Sequence, residues 1–206
     1  MDIHATNENR IAEVLSFWFG DSIKNPKEVS ERYELWFKGG KESDNVIADA
    51  FTKDVVLALQ GGLTHWATNP RGRLALIILL DQFTRTIFRS TAKAFAGDEI
   101  ALPLCVEGIE HGMHKELSLI ERVFFFLPME HSEEMAIQEK SVSAFKSLIK
   151  EAPEPEIKIY QSFSDYAARH RDVIRRFGRF PHRNRALGRD STPEEEDFLR
   201  LKPSPF

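Results

Sequence analysis

Between Ile157 and Phe177 apolar residues return every three or four positions: Tyr160, Phe163, Ala167, Val173, Ile174 and Phe177, with His170 in the same stripe. That interval matches the 3.6-residue turn of an α-helix, so one face packs inward and the other carries charge into water. Two more stretches, Leu74–Leu80 (LALIILL) and Val123–Leu127 (VFFFL), are apolar nearly all round. They read as central helices covered on more than one side. No alternating strand pattern or hairpin signal competes. The fold class is therefore all-α, built of antiparallel helix pairs joined by short loops, as a bundle or a short superhelix. At 206 residues and 42% apolar composition the chain can bury one sizeable core, and a single all-helical domain over residues 1–206 is expected.

Several helix starts carry their own chemistry. Asn25-Pro26-Lys27-Glu28 reads as an N-cap, a proline at the first helical position and an early acid, opening a helix that ends near Phe37 before Gly39-Gly40. Ser118 with Glu121, and Thr192-Pro193 with Glu195, have the form of capping boxes. The remaining helices are expected at about 7–19, 43–60, 70–88, 98–111, 118–127, 132–151 and 156–177. Pro153-Glu154-Pro155 is the one linker-like break, and the section after it is too small to bury a core of its own.

Residues 1–10 (MDIHATNENR) have neither a basic start nor an apolar stretch, so no secretory or transit segment is read there and the expected location is cytoplasmic. The longest apolar run is far short of the roughly 20 residues that span a bilayer. The lone Cys105 sits in an apolar stretch and reads as a small buried hydrophobe.

The net charge of −4 conceals an uneven distribution. Residues 169–189 hold Arg169, Arg171, Arg175, Arg176, Arg179, Arg183, Arg185 and Arg189 against one acid, Asp172. That segment carries +7 and the rest −11. Most of the surface would repel a nucleic-acid backbone, which leaves one local cationic segment rather than a general polyanion binder.

Three patches put polar groups where burial is expected. In the first, Asp81 and Arg85 share a helix face, with Arg89 beyond them. They form either an internal ion pair that fixes helix register, or a pocket wall with Asp81 as acid or base and Arg85 and Arg89 as anion contacts. In the second, Pro128 is expected to stop one helix and Ser132 to cap the next, with Glu133 and Glu134 complementing its dipole. This leaves Glu130 and His131 in the turn, as an acid/base pair or as a loop-fixing network. The third is Arg176-Phe177-Gly178-Arg179-Phe180-Pro181-His182-Arg183-Asn184. Gly178 suits the left-handed position after a helix, and Pro181 keeps the helix from resuming. Asp165 with Arg169, Asp172 with Arg176 and the acids Glu194 to Asp197 would neutralise part of the charge. The guanidinium groups in excess suit recognition of phosphate or carboxylate.

Other signals fail on their chemistry. Gly39-Gly40-Lys41-Glu42-Ser43 is not a phosphate-binding loop, because Glu42 follows the lysine and Trp36 stands where the first glycine belongs. His111 with His114, and His131 with Glu134, share helix faces but supply no third ligand, so no metal and no cofactor is expected.

The three patches also carry a likeness. Leu80-Asp81-Gln82-Phe83 with Arg85, Phe88 and Arg89, then Leu127-Pro128 with Glu130 to Glu133, then Arg176 to Asn184 continuing through Leu187-Gly188-Arg189 to Ser191–Glu195, resemble the largely bacterial family catalogued as domain of unknown function 924. The resemblance implies an all-helical fold similar to tetratricopeptide-repeat proteins without their clear consensus, and it brings no established reaction. Thr84 departs from the pattern, which usually has proline there.

Two functions are expected from these residues. One is a cationic pocket for a small anionic ligand, with Arg85, Arg89, Arg176, Arg179, His182, Arg183 and Asn184 as contacts and Asp81, Glu130 and His131 as acid/base groups if the protein is an enzyme. The alternative is a tetratricopeptide-like scaffold for an acidic peptide or protein partner.

Overall fold

A computed structural model describes residues 3–23, 25, 27–38 and 40–201. Pro26 and Gly39, expected at the two ends of the second helix, lie outside the described residues, as do Met1 and Asp2. The elements are α1 (Ile3–Phe19), α2 (Lys27–Tyr33), α3 (Lys41–Leu59), α4 (Pro70–Ile77), α5 (Thr84–Ile87), α6 (Asp98–Glu110), α7 (Leu119–Glu130), α8 (Met135–Glu151), α9 (Ile157–Phe177), α10 (Asn184–Leu187) and α11 (Pro193–Leu201). No strand occurs among the described residues, and no helix among them is long and apolar enough to cross a membrane. They divide into two compact units: one up to Arg89 with Lys93–Pro128, the other from Met129 onward with Ser90–Ala92.

In the first unit every residue from Leu74 to Leu80 is buried, as the all-round apolar run requires. Asn69 starts α4, its Oδ1 accepting from the Gly72 amide at 2.9 Å, with Pro70 at the first helical position. Between α4 and α5 the helix widens into a π turn over Ile78–Phe83, a distortion often found where a helix carries a special residue. Thr84 closes that turn by donating its hydroxyl to the Leu80 carbonyl at 2.6 Å. The irregularity beside Asp81 thus exists here without a proline. Gly97 lets the start of α6 reach the same place, since a Cβ there would stand 2.1 Å from the Leu80 oxygen. The VFFFL run is wholly buried, and Phe124 meets Trp18, Phe19 and Trp36 edge-on at centroid distances of 5.5, 5.4 and 4.8 Å.

The second unit rests on α8 packed along α9. The Pro153–Pro155 break is a turn inside this hairpin, and a short 3-10 segment, Glu154–Glu156, leads into α9. The α9 stripe is buried from Tyr160 to Ile174, His170 included. It faces Gln138, Ser141, Val142, Phe145 and Leu148, the buried side of α8. Gly178 takes the left-handed conformation at φ 69° and its amide closes on the Ile174 carbonyl at 2.7 Å. Val173, Ile174 and Phe180 then form a small core with Met135, Phe177 and Phe198. Both capping boxes are made: Ser118 exchanges hydrogen bonds with Glu121 in the first unit, and Thr192 with Glu195 in the second.

Two expectations about the 128–134 turn need correction. Pro128 does not stop α7, which runs on to Glu130 with the proline inside it; the ring removes the amide hydrogen that would bond the Phe124 carbonyl. Ser132 does not cap α8 either: the helix begins at Met135, and the Ser132 hydroxyl accepts from the Glu134 amide at 3.2 Å inside the turn.

Candidate functional site

The patch in the first unit is a chain of ion pairs. The side chain of Asp81 is fully buried, accepts from the Gln82 amide and lies 3.4 Å from Arg85 Nη1. Arg85 turns its fork onto Asp98, at 2.8 and 3.1 Å, and also donates to the Asp81 carbonyl at 2.7 Å. Burial works against the Arg85 charge, but Asp81 and Asp98 outweigh it and hold the guanidinium more firmly protonated than usual. Arg89 places its fork on Asp44 at 2.9 and 3.1 Å. The sequence shows the pairing of Asp81 with Arg85, which are one helical turn apart. It does not show Asp98 or Asp44, which come from other elements.

In the second unit the residue that ends α7, Glu130, meets the buried face of α9. Glu130 is 4% exposed, and its Oε1 lies 3.1 Å from Nδ1 of His170, itself 6% exposed. The same nitrogen lies 3.0 Å from the Tyr166 carbonyl. A carbonyl only accepts, so Nδ1 carries the hydrogen and the neutral ring keeps its lone pair on Nε2. Burial, then the neighbouring His131, then His182 and Arg183, push the His170 pKa well below its ordinary value despite the Tyr166 carbonyl. His170 is neutral at pH 7.

One arginine and two further histidines stand around it. The His131 ring lies 6.1 Å from that of His170, and Arg183 donates from Nη2 to the His131 carbonyl at 2.9 Å. The buried Arg183 guanidinium stacks over Phe180 at 4.7 Å, and Phe180 in turn meets the His170 and His182 rings at 5.6 Å each. His182 is exposed. This arrangement can bind an anion and move a proton: a fixed guanidinium, two further imidazoles, and a carboxylate holding a neutral base in one tautomer.

Two acids organise Arg179 and Arg189. Glu133 takes both Nη groups of Arg189, at 2.7 and 3.0 Å, and the Phe180 amide at 2.8 Å. Burial alone would raise its pKa, yet these donors bring it below the usual carboxylate range. Glu195 takes the fork of Arg179 at 2.7 and 2.8 Å, the Thr192 amide and Asn184 Nδ2. The Arg179 hydrogen bonds lead, and the Glu195 carboxyl falls to about 2. Asn184 is buried and also bonds Ser191 and Arg189. Arg176 pairs with Glu194 at 2.8 Å rather than with Asp172, which accepts from Arg171 and Arg175. Asp165 accepts from Gln161, and Arg169 lies over the Tyr166 ring. Pairs on one exposed helix turn are weak, so partners from α8 and α11 compete successfully for these arginines.

Sequence reasoning nominates Glu130, His131, His182 and Arg183, and the structure brings these four around His170, which the sequence shows only as part of an apolar stripe. A histidine at a position otherwise reserved for hydrocarbon is the available signal. Asp81, Arg85 and Arg89 form a group of their own in the first unit, and Arg176, Arg179 and Asn184 engage Glu194 and Glu195.

A family model described as a bacterial protein of unknown function (DUF924) matches residues 14–202. A solved structure of a protein of unknown function from Agrobacterium tumefaciens is similar to this chain at 33% identity and a TM-score of 0.79, covering 95% of this chain and 99% of its own. No curated protein matches the chain.

Proposed function

The chain belongs to this bacterial family of unknown function, and on that premise we propose that its second unit binds a small carboxylate- or phosphate-bearing molecule beside the Glu130–His170 pair. Arg183, His131 and His182 are the anion contacts. Glu130 and His170 are the proton-handling groups of any reaction at the site, with His170 Nε2 as the base. The observation that carries this reading is the buried Glu130–His170 contact with three further cationic or titratable side chains gathered around the same ring. Structural ion pairs account for Asp81, Arg85, Arg89, Arg176 and Arg179, so these residues support the two units and are not ligand contacts in this reading.

The test is a titration of the full chain with inorganic phosphate near pH 6.5, followed through the side-chain resonances of its histidines and through thermal stability. Phosphate is expected to move the His131 and His182 signals and to raise Tm, because a ligand that binds only the folded state stabilises it. His182→Ala, at an exposed position, is expected to weaken both effects without unfolding the chain. Phosphate that leaves every histidine signal and Tm unchanged overturns the proposal.

A further inference from the structure

Next to Glu130, on the buried face of α8, lies a second group of polar atoms. Gln138 and Ser141 are one turn apart on the inward face of α8, and both are 0% exposed. The Gln138 amide nitrogen is fully committed, donating at 2.7 Å to the carbonyls of both Glu130 and Ser132. These bonds fix which end of the amide is nitrogen, since two acceptors call for a donor. The oxygen at the other end, Oε1, has no hydrogen-bond partner among the described residues, and neither has Ser141 Oγ. Buried polar atoms are nearly always paired, and each one left unpaired costs stability.

The position of this pair is set by two contacts to one residue. Gln138 holds Glu130 by its carbonyl, and His170 meets Glu130 by its carboxylate. The ion pairs of Glu139 with Arg171 and Arg175 tie the same stretch of α8 to α9. The buried stripe of α9 includes Ala167, 0% exposed, whose methyl group fills less of the interface than the rings of Phe163 and His170 on either side.

We propose that Gln138 Oε1 and Ser141 Oγ form a buried binding site for one water molecule, held on the face of α8 that packs against α9. The chemistry is complementary: the amide oxygen accepts one water hydrogen, and the serine hydroxyl donates to the water oxygen. Internal waters characteristically satisfy polar groups in this way, with two to four partners each. The site does not depend on the anion reading, because it follows from unpaired atoms of α8 alone.

Ser141→Ala decides the matter by the sign of its effect. If the water is present, the variant removes one of its anchors and is expected to lower Tm by roughly 3 °C. If the hydroxyl is dry and unpaired, deleting it raises Tm, and the proposal is overturned. A double-mutant cycle of Ser141→Ala with Gln138→Met gives a second, independent readout. The two side chains make no direct hydrogen bond, so a shared water is expected to make the Tm losses non-additive, and additivity contradicts one. Loss of the Gln138 amide bonds to the turn occurs in both arms of the cycle and cancels. A high-resolution crystal structure of the full chain is expected to show one water within hydrogen-bond reach of both atoms. Density there for no atom at all overturns the proposal.

Discussion

The two units bury a carboxylate in opposite ways. In the first, Asp81 is set against Arg85, and Asp81 and Asp98 together hold the Arg85 guanidinium more firmly protonated than usual. In the second, Glu130 is set against His170, an imidazole that burial and then the neighbouring His131 keep neutral. The first arrangement is a tie between helical segments. The second holds a neutral imidazole in one tautomer beside a carboxylate. Similar burial therefore gives a fixed ion pair in one place and a carboxylate beside a neutral imidazole in the other, and the partner decides which.

The largest expected effect breaks the tie. Arg85→Met keeps much of the side-chain volume but leaves Asp81 buried beside one amide donor. Removing one member of a buried pair costs about 3–5 kcal/mol. Thermal unfolding of the variant is expected to fall by about 10 °C. Adding Asp81→Asn to Arg85→Met is expected to recover part of the loss, because the uncompensated charge is then gone. A single variant with wild-type Tm shows that Asp81 is satisfied without Arg85.

The fold is legible in the sequence where one residue's own chemistry decides its environment. The α9 period, the all-round apolar runs, both capping boxes and the left-handed Gly178 are local facts, and local facts survive into the structure. Partners are not legible where the chain brings them from afar. Arg85 finds Asp98 and Arg89 finds Asp44, and Arg189 finds Glu133 across 56 positions. Glu133 and Glu134 look alike beside a helix start, yet Glu133 folds the arginine loop instead of serving the dipole. His170 is hidden for a related reason: its place in the apolar stripe accounts for its burial, while the partner that its polar ring needs lies 40 positions away at Glu130.

The proton-bearing arrangement is broken by acid. The folded-state pKa of His170 lies below its unfolded value of about 6.5. Below pH 6.5 the unfolded chain takes up a proton that the folded chain refuses, so stability falls with pH by up to about 1.4 kcal/mol per unit until the folded pKa is reached. His170→Gln is expected to flatten Tm against pH between 6.5 and that lower value, whatever it does to Tm at pH 7.5. An unchanged slope assigns the pH dependence to other groups.

Glu195 provides a test at more acidic pH. Its carboxyl is depressed to about 2, so its contribution is complete above its unfolded pKa of about 4.3 and is lost as pH falls from there through 2. Glu195→Gln is expected to make the chain less stable at neutral pH and less sensitive to acid in that window. A wild-type acid limb in the variant means that the Arg179–Glu195 pair contributes nothing measurable.

The smallest effect is expected at Arg176, which pairs with Glu194 while both side chains remain more than half exposed. Water screens such a pair and both side chains lose entropy to make it, so its net worth is below about 1 kcal/mol. Arg176 also lies over Phe177 at 4.7 Å and Phe198 at 5.9 Å, which gives it a packing role that salt does not touch. The two roles separate by ionic strength. If the ion pair matters, the Tm difference between wild type and Arg176→Ala shrinks as salt rises toward about 1 M. If packing matters, the difference persists. Arg176→Met, which keeps the stem and loses the charge, is expected to stay closer to wild type than Arg176→Ala. The opposite order assigns this arginine to charge, and returns it to the pool of groups available to an anionic ligand.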